Sequence, residues 1–405
     1  MNSIYIISSY IRHKSLHSFI TVLIFALGIA IISALMHIEQ EANRHIDRNL
    51  QGVDLVVGAK GSPMQLILSS LLHIDIPTGN IALKDAQTIS HHPLVALSAP
   101  IALGDSFHGN RIVGTQASFF TLYKAPLAQG RLFDKPLDAV LGSDVASRYH
   151  LGLGDRLVGS HGLTESDDIH SEFPYTVTGI LAPTGTVLDS LILTPLESVW
   201  RIHAHEEQEE AEEHPEQAHA ESHHEDPEVT ALLVRYKSPL AAASLPRFVN
   251  SSTSMQAASP AFEVARLMQF AGLGTKLMSI ISLVLVAIAA LALFAGLYKA
   301  ADERRYDLTL MRCLGMTPRK LFALILGESL LLSGIGALLG IACSHALIYL
   351  ATHTLDSSYA GAIHNGLGAT DGIILLGSIA IGFIAGALPA WRIYRLDMPQ
   401  LLARR

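Results

Sequence analysis

Residues 203–228 read HAHEEQEEAEEHPEQAHAESHHEDPE, and six histidines, His203, His205, His214, His219, His223 and His224, are interleaved there with carboxylates. Neutral imidazole is the commonest protein ligand for zinc and related divalent ions, and neighbouring carboxylates concentrate cations and raise imidazole basicity. The spacing defines no single closed tetrahedral site. It offers several overlapping ones, which suits weak, multivalent binding of Zn2+, Ni2+ or Cu2+. A solvated acidic loop has a similar composition, but six His in 22 residues is dense for one. Low hydrophobicity, high charge and flanking prolines predict a disordered insert. Protonation of these imidazoles at about pH 6 would offset the acidic charge, which is the chemistry of a pH sensor.

Catalytic motifs are missing elsewhere. There is no G-x-x-x-x-G-K-[ST] nucleotide loop, and Gly58-Ala59-Lys60-Gly61-Ser62-Pro63 has the composition of a tight turn and helix start instead. His205-Glu206 and His224-Glu225 do not continue into H-E-x-x-H, and no G-x-S-x-G elbow occurs. Cys313 and Cys343 are the only cysteines, so no disulfide scaffold is available. No basic patch with interleaved aromatics marks a nucleic-acid partner. The expectation is a chain that is not an enzyme and binds no cofactor itself, apart from weak metal at the insert.

Hydropathy sets the elements that must carry these residues. The 405 residues are 50% hydrophobic and 16% charged, and the mean hydropathy is +0.36, a membrane composition. Four stretches reach the roughly 20 helical residues that cross a hydrocarbon core: about 15–36, 277–298, 321–350 and 372–391. The first is too long for a signal-peptide core and no small-residue cleavage site follows it, so a retained anchor is expected after a cytoplasmic segment 1–14. Lys and Arg cluster before the first span at Arg12 and Lys14, between the second and third at Lys299, Arg304, Arg305, Arg312, Arg319 and Lys320, and after the fourth at Arg392, Arg395, Arg404 and Arg405. Residues 351–371 hold none. Both termini and the 299–320 loop are therefore expected to be cytoplasmic, and 37–272 extracytoplasmic. The formal charge of −8 is local: eleven acidic residues lie between Glu206 and Glu228, and without them the remainder is +3.

The fold class expected is a membrane protein of four transmembrane α-helices with a large α+β extracytoplasmic domain between the first and second. Strand-like runs at Val53–Gly58, Leu94–Leu103, Arg111–Gly114, Tyr175–Leu181 and Thr230–Tyr236 alternate with helical ones at Pro63–Leu72, Lys84–Ser90, Ser143–His150, Pro195–Ile202 and Pro260–Phe270. A second module inserted around 125–200 is expected within this domain. In the third and fourth spans, Ser333, Gly336 and Gly340 and then Ser378, Gly382 and Gly386 form small-residue faces, suited to helix packing within one chain or between subunits. Glu328 and His345 are costly in lipid and are expected to face protein or water; as two isolated groups they fit a structural role better than a proton relay.

The cytoplasmic stretch KAADERRYDLTLMRCLGMTPRK reads as a short helix, about 302–316, with an apolar stripe at Leu308, Met311 and Leu314. Gly315 suits its C-cap and Thr317-Pro318 a fresh helix start. A solvated positive-inside connector and a helix that docks into a groove on a soluble partner are both compatible with this pattern.

Glu303, Arg304, Asp307, Leu308, Met311, Arg312, Leu314 and Gly315 resemble the E-R-x-x-E-[IL]-x-x-[LM]-R-x-[LM]-G motif of FtsX-like, MacB/LolC/LolE-type ABC transporter permeases. Residues 388–399, LPAWRIYRLDMP, are similar to that family's P-A-x-R-A-x-R-x-x-P ending. Asp307 stands where Glu is usual, Cys313 where Ala is common, and the His-rich insert is not a general family feature. The resemblance implies a MacB-type periplasmic core domain at 37–272, an FtsX-like permease domain at 277–405, and ATPase coupling by the eight motif residues. It further implies a multi-pass protein of the cell inner membrane, paired with a second permease copy or paralogue and with a dimeric ABC ATPase subunit that uses the ATP. Mechanotransmission to the periplasmic side would then export or extract a lipoprotein, peptide or small molecule, with the insert adding a link to metal homeostasis. Two other roles stay open: regulation of an external cell-wall hydrolase as a periplasmic partner, and metal sensing as a membrane receptor.

Overall fold

The computed structural model describes residues 15–160, 173–213, 227–303, 305–354, 366 and 368–394. Its helices are α1 (Ser15–Leu50), α2 (Pro63–Ser70), α3 (Leu83–Ser90), α4 (Ala117–Tyr123), α5 (Ser143–Tyr149), α6 (Leu196–Glu213), α7 (Pro239–Ser252), α8 (Pro260–Glu303), α9 (Arg305–Cys313), α10 (Pro318–Thr354) and α11 (Ala369–Tyr394). The strands are β1 (Leu55–Ala59), β2 (Ile81–Ala82), β3 (Val95–Phe107), β4 (Asn110–Thr115), β5 (Leu127–Gly130), β6 (Asp138–Leu141), β7 (Arg156–Leu157), β8 (Tyr175–Leu181), β9 (Ile192–Pro195), β10 (Glu228–Val229), β11 (Ala231–Tyr236) and β12 (Met255–Ala258). The chain divides into two units, Asn43–Phe270 and Met1–Ala42 with Ala271–Arg405.

The first unit is an α+β domain on one large mixed sheet, ordered β12-β1-β11-β3-β4-β9-β6-β8-β5 with β7 beside β8, and a small two-stranded sheet of β2 and β10. Its central strands are apolar on both sides because helices cover both faces. Val56, Leu233 and Val113 pack with Leu66, Ile67, Phe119 and Leu122 on one face. Leu55, Val57, Leu232 and Val234 pack with Ile89, Leu245 and Val249 on the other. A second module was expected around 125–200, but the described residues there close no sheet of their own. Their strands β5, β6, β8 and β9 extend the same sheet, joined to it by the parallel pairing of Ile112–Thr115 with Ile192–Pro195. The Gly58–Pro63 loop is a helix start: Ser62 accepts a hydrogen bond from the Gln65 N–H at 3.4 Å, and Pro63 opens α2.

After α2 the backbone turns left-handed at His73, φ 56°, and the Arg111 Nε–H donates to the His73 carbonyl at 3.1 Å. The His73 ring is buried, and neither nitrogen has a hydrogen-bond partner among the described residues. Burial, and then the charge of Arg111, push its pKa down from 6.5 to about 3.

The second unit contains four helices long and apolar enough to cross a membrane, α1, α8, α10 and α11. Phe25, Ile29, Val286, Ala289, Ala337, Ile341 and Ile374 join all four. Outward, Leu27, Leu283, Leu291, Leu338, Leu376 and Ile384 are each more than half exposed, a surface suited to lipid rather than water. The small-residue faces pack within the one chain. A Cβ on Gly386 would lie 2.5 Å from Ser329 Cβ, and one on Gly382 would lie 2.6 Å from Ser333 Cβ. The Ser329 hydroxyl donates to the Gly382 carbonyl at 2.6 Å. Gly340 of α10 instead meets α1, where a Cβ would lie 2.6 Å from the Ala26 carbonyl oxygen.

Two outcomes follow. Gly386→Val should overpack the α10–α11 contact at a cost of about 1–3 kcal/mol, seen as a lower melting temperature in detergent. Gly377→Val on the same helix, where a Cβ meets nothing within 4 Å, should leave it unchanged. Because the unfolded chain binds a proton that folded His73 refuses, stability should be full above pH 6.5 and fall as pH drops towards 3. His73→Asn, which tolerates the positive φ, should flatten that acid-side loss in a melting series against pH.

Candidate functional site

The segment joining the second and third long helices is built as a corner. α9 ends in a left-handed glycine, Gly315 at φ +96°. The Met316 N–H reaches back to the Met311 carbonyl and the Gly315 N–H to the Arg312 carbonyl, both at 3.0 Å. This is the paired closure of a Schellman motif, which needs a residue free of the Cβ penalty at its turn. Pro318 then opens α10, where its missing N–H costs nothing.

The corner is anchored on one side and open on the other. Met316 packs against Leu321, Leu324, Ile325 and Ala390, so the turn after α9 and the Pro389-Ala390 end of α11 share one apolar cluster. Leu310 and Leu314 point away from the chain, 51% and 80% exposed. On α9 and its cap this leaves an apolar face beside half-buried Met311 and Arg312.

The residues expected to couple to a partner are placed as follows. Glu303 ends α8 and is exposed; Met311 and Arg312 lie on α9, with Leu314 and Gly315 in its cap. Asp307 and Leu308 lie on the α9 backbone, and Arg304 falls outside the described residues. Of the helix expected over 302–316, residues 302–303 lie in α8 and 305–313 in α9, with Arg304 between them outside the described residues, and the run stops at Cys313 because Gly315 turns the chain.

The insert is not disordered throughout. Residues 203–213 continue α6, because Glu, Gln and Ala are good helix formers and the helix is seeded by the buried Leu196, Val199 and Ile202. His203 and His205 lie on this helix, and the His205 ring meets the edge of Phe173 at 5.1 Å. His214, His219, His223 and His224 fall outside the described residues. The domain also holds a cavity of about 550 Å3 lined by Asp54, Lys124, Arg235 and Tyr236 among others. Arg235 is already committed there to the Gly52 and Leu122 carbonyls.

His345 is not isolated, contrary to expectation. It meets His37 of α1 and Asp371 of α11, neither of which stands out in the sequence. The one signal was position: each is an ionisable residue at the edge of an apolar run.

The chain thus combines an α+β domain with four helices of membrane length, and a capped corner joins the second and third of these helices. The chain belongs to the MacB/FtsX-type ABC transporter permease family: residues 18–246 match the MacB-like periplasmic core domain and 279–398 the FtsX-like permease C-terminal domain. It is 24% identical over 407 residues to the pyoverdine export ATP-binding/permease protein PvdT of Pseudomonas putida, covering 93% of this chain and 56% of that protein. The chain thus spans about half the length of that curated relative. Among solved structures, the periplasmic region of MacB from Actinobacillus actinomycetemcomitans aligns at TM-score 0.36 and 14% identity, over 55% of this chain and 97% of that one. The extracellular domain of the noncanonic ABC-type transporter YknZ from Gram-positive bacteria aligns at 0.32 and 12%, over 51% and 98%.

The corner gives a direct test. Gly315→Val should force a β-branched residue into the left-handed region and cost about 1–2 kcal/mol locally, reducing whatever activity depends on α9. Gly315→Asn, whose side chain tolerates that region, should retain most of it. Turnover of the reconstituted complex for both variants checks this.

Proposed function

We propose that this chain is the permease subunit of an ABC transporter complex in the cell inner membrane, with 37–272 on the periplasmic side and α9 on the cytoplasmic side. A separate dimeric ATPase docks on α9, and a second permease copy or paralogue completes the complex. The chain itself hydrolyses nothing; ATP is used on the partner. The observation that carries this reading is the α9 corner, an apolar face at Leu310 and Leu314 beside basic residues, on the side of the bundle where Lys and Arg flank the spans. Such a face fits a groove on a soluble partner.

Mechanically, α8 is one unbroken helix from Pro260 to Glu303, and a continuous helix transmits displacement with little loss along its length. ATP-driven movement of α9 is passed along the chain through α8 toward the extracytoplasmic domain. The work done there is export or extraction of a lipoprotein, peptide or small molecule. The relative's name, pyoverdine export, is compatible with a small-molecule substrate. The insert histidines add weak divalent-metal binding, which ties this transporter to metal homeostasis.

Charge reversal at Arg304 and Arg312, R304E with R312E, should abolish co-purification of the ATPase and its stimulated turnover while leaving the chain's melting temperature within a few degrees. Undiminished ATPase binding would sink the docking assignment.

A further inference from the structure

At one end of the four-helix bundle three helices bring ionisable side chains together. His37 on α1, His345 on α10 and Asp371 at the start of α11 each offer one ligand atom, and all three atoms lie within 4.8 Å of one another. His37 Nε2 is 3.5 Å from Asp371 Oδ1, and His345 Nε2 is 3.2 Å from Asp371 Oδ2. The two imidazoles meet edge to face with centroids 4.9 Å apart. The aspartate side chain is only 7% exposed.

Hydrogen bonding around the cluster decides which atoms face inward. His37 Nδ1 lies 2.7 Å from the Ser33 carbonyl oxygen. A carbonyl can only accept, so Nδ1 carries the proton and, in the neutral ring, Nε2 presents a lone pair. The Gly368 N–H donates to Asp371 Oδ2 at 3.0 Å. Oδ1 is buried with no hydrogen-bond partner among the described residues. Two acceptors, His37 Nε2 and Asp371 Oδ1, therefore face each other, an arrangement that repels unless a positive charge lies between them.

We propose that His37, His345 and Asp371 form a binding site for a divalent transition-metal ion of the zinc class. Imidazole and carboxylate are the N and O ligands that zinc takes at about 2.0–2.2 Å, and a tetrahedron with such bonds has edges of about 3.3–3.5 Å. His345 Nε2 lies 3.2 Å from Asp371 Oδ2 and His37 Nε2 3.5 Å from Oδ1, both near such an edge though to different oxygens, and with all three ligand atoms within 4.8 Å of one another a small side-chain adjustment closes the set on one ion. The Ser33 carbonyl is the outer partner that orients a metal-bound histidine. Gln40 Oε1, accepting from the Thr370 hydroxyl at 3.0 Å, ties the same ends of α1 and α11 together. Three protein ligands leave a fourth position for water or an incoming ligand, the pattern of an exchangeable site rather than a closed structural one.

The site lies about 40 Å along α10 from Pro318 at about 1.5 Å per residue, far from the coupling corner. On the orientation proposed above it is at the periplasmic end. The residues involved are distinct from the insert histidines and from α9, so the site stands or falls independently of ATPase docking.

A second proton on His37 is the competing way to fill the gap, and metal titration separates the two. The full chain in detergent, with all six insert histidines changed to Gln, is titrated with Zn2+ by calorimetry. It should bind one equivalent per chain, and His345→Ala or Asp371→Asn should weaken that binding at least about tenfold. No bound equivalent in the six-Gln chain, or undiminished binding after either change, overturns the site. Should those variants misfold, His345→Cys loaded with Co2+ decides: a sulfur-to-cobalt charge-transfer band in the near ultraviolet supports the assignment, and its absence overturns it.

Discussion

The backbone approach of α10 and α11, with Ser329 and Ser333 seated against Gly386 and Gly382, is the contact on which the membrane unit depends. In lipid there is no hydrophobic gain from pressing two apolar helices together, so association rests on close packing and hydrogen bonds between backbones. No Cβ fits on either glycine, and the Ser329 hydroxyl closes the gap with a hydrogen bond to the opposite backbone. A contact this tight tolerates little sliding, and it therefore fixes the antiparallel register of the two helices. That register places Met316 against Ala390 at one end and His345 against Asp371 at the other. The corner after α9 and the histidine–aspartate cluster are consequences of one packing decision.

How much of this could be read from the chain depends on how local each signal is. Gly315, Thr317 and Pro318 lie within four residues, and their conformational preferences specify a helix end, a turn and a new start without help from elsewhere. The alternating strands of the domain were legible for a similar reason, although β1 and β11 read as continuous apolar runs because they are covered on both faces. Within residues 125–200, β8 was legible at Tyr175–Leu181, but β5, β6 and β9 were not, since at four residues each they are too short to show a period. Composition misled at 203–213, where the charge that argues for disorder comes from residues that also favour helix, and Leu196, Val199 and Ile202 supply the buried seed.

His345 stood out as a polar residue in an apolar span, but its grouping with His37 and Asp371 was illegible for a different reason. They are widely separated in sequence, and only the register set by the serine–glycine contacts and by Gly340 against α1 makes them neighbours. Each alone is an ordinary polar residue near a span end. The functional meaning of a polar residue in such a bundle is therefore a property of helix register, which small-residue spacing suggests only once the faces are assigned to partners.

The two histidine-bearing regions differ in the quantity that sets metal affinity. In the insert, overlapping ligand sets along one segment would compete for an ion, and any residue newly fixed around it would cost roughly 1–2 kcal/mol. In the bundle, the ligands project from three packed helices whose geometry is already set, so an ion bound there orders almost nothing more. If both bind the same ion, equilibrium favours the bundle site, and the insert acts only by raising the concentration available to exchange. On the two proposals made above, the acidic insert is thus the weaker ligand set, and His37, His345 and Asp371 at the helix ends are the stronger.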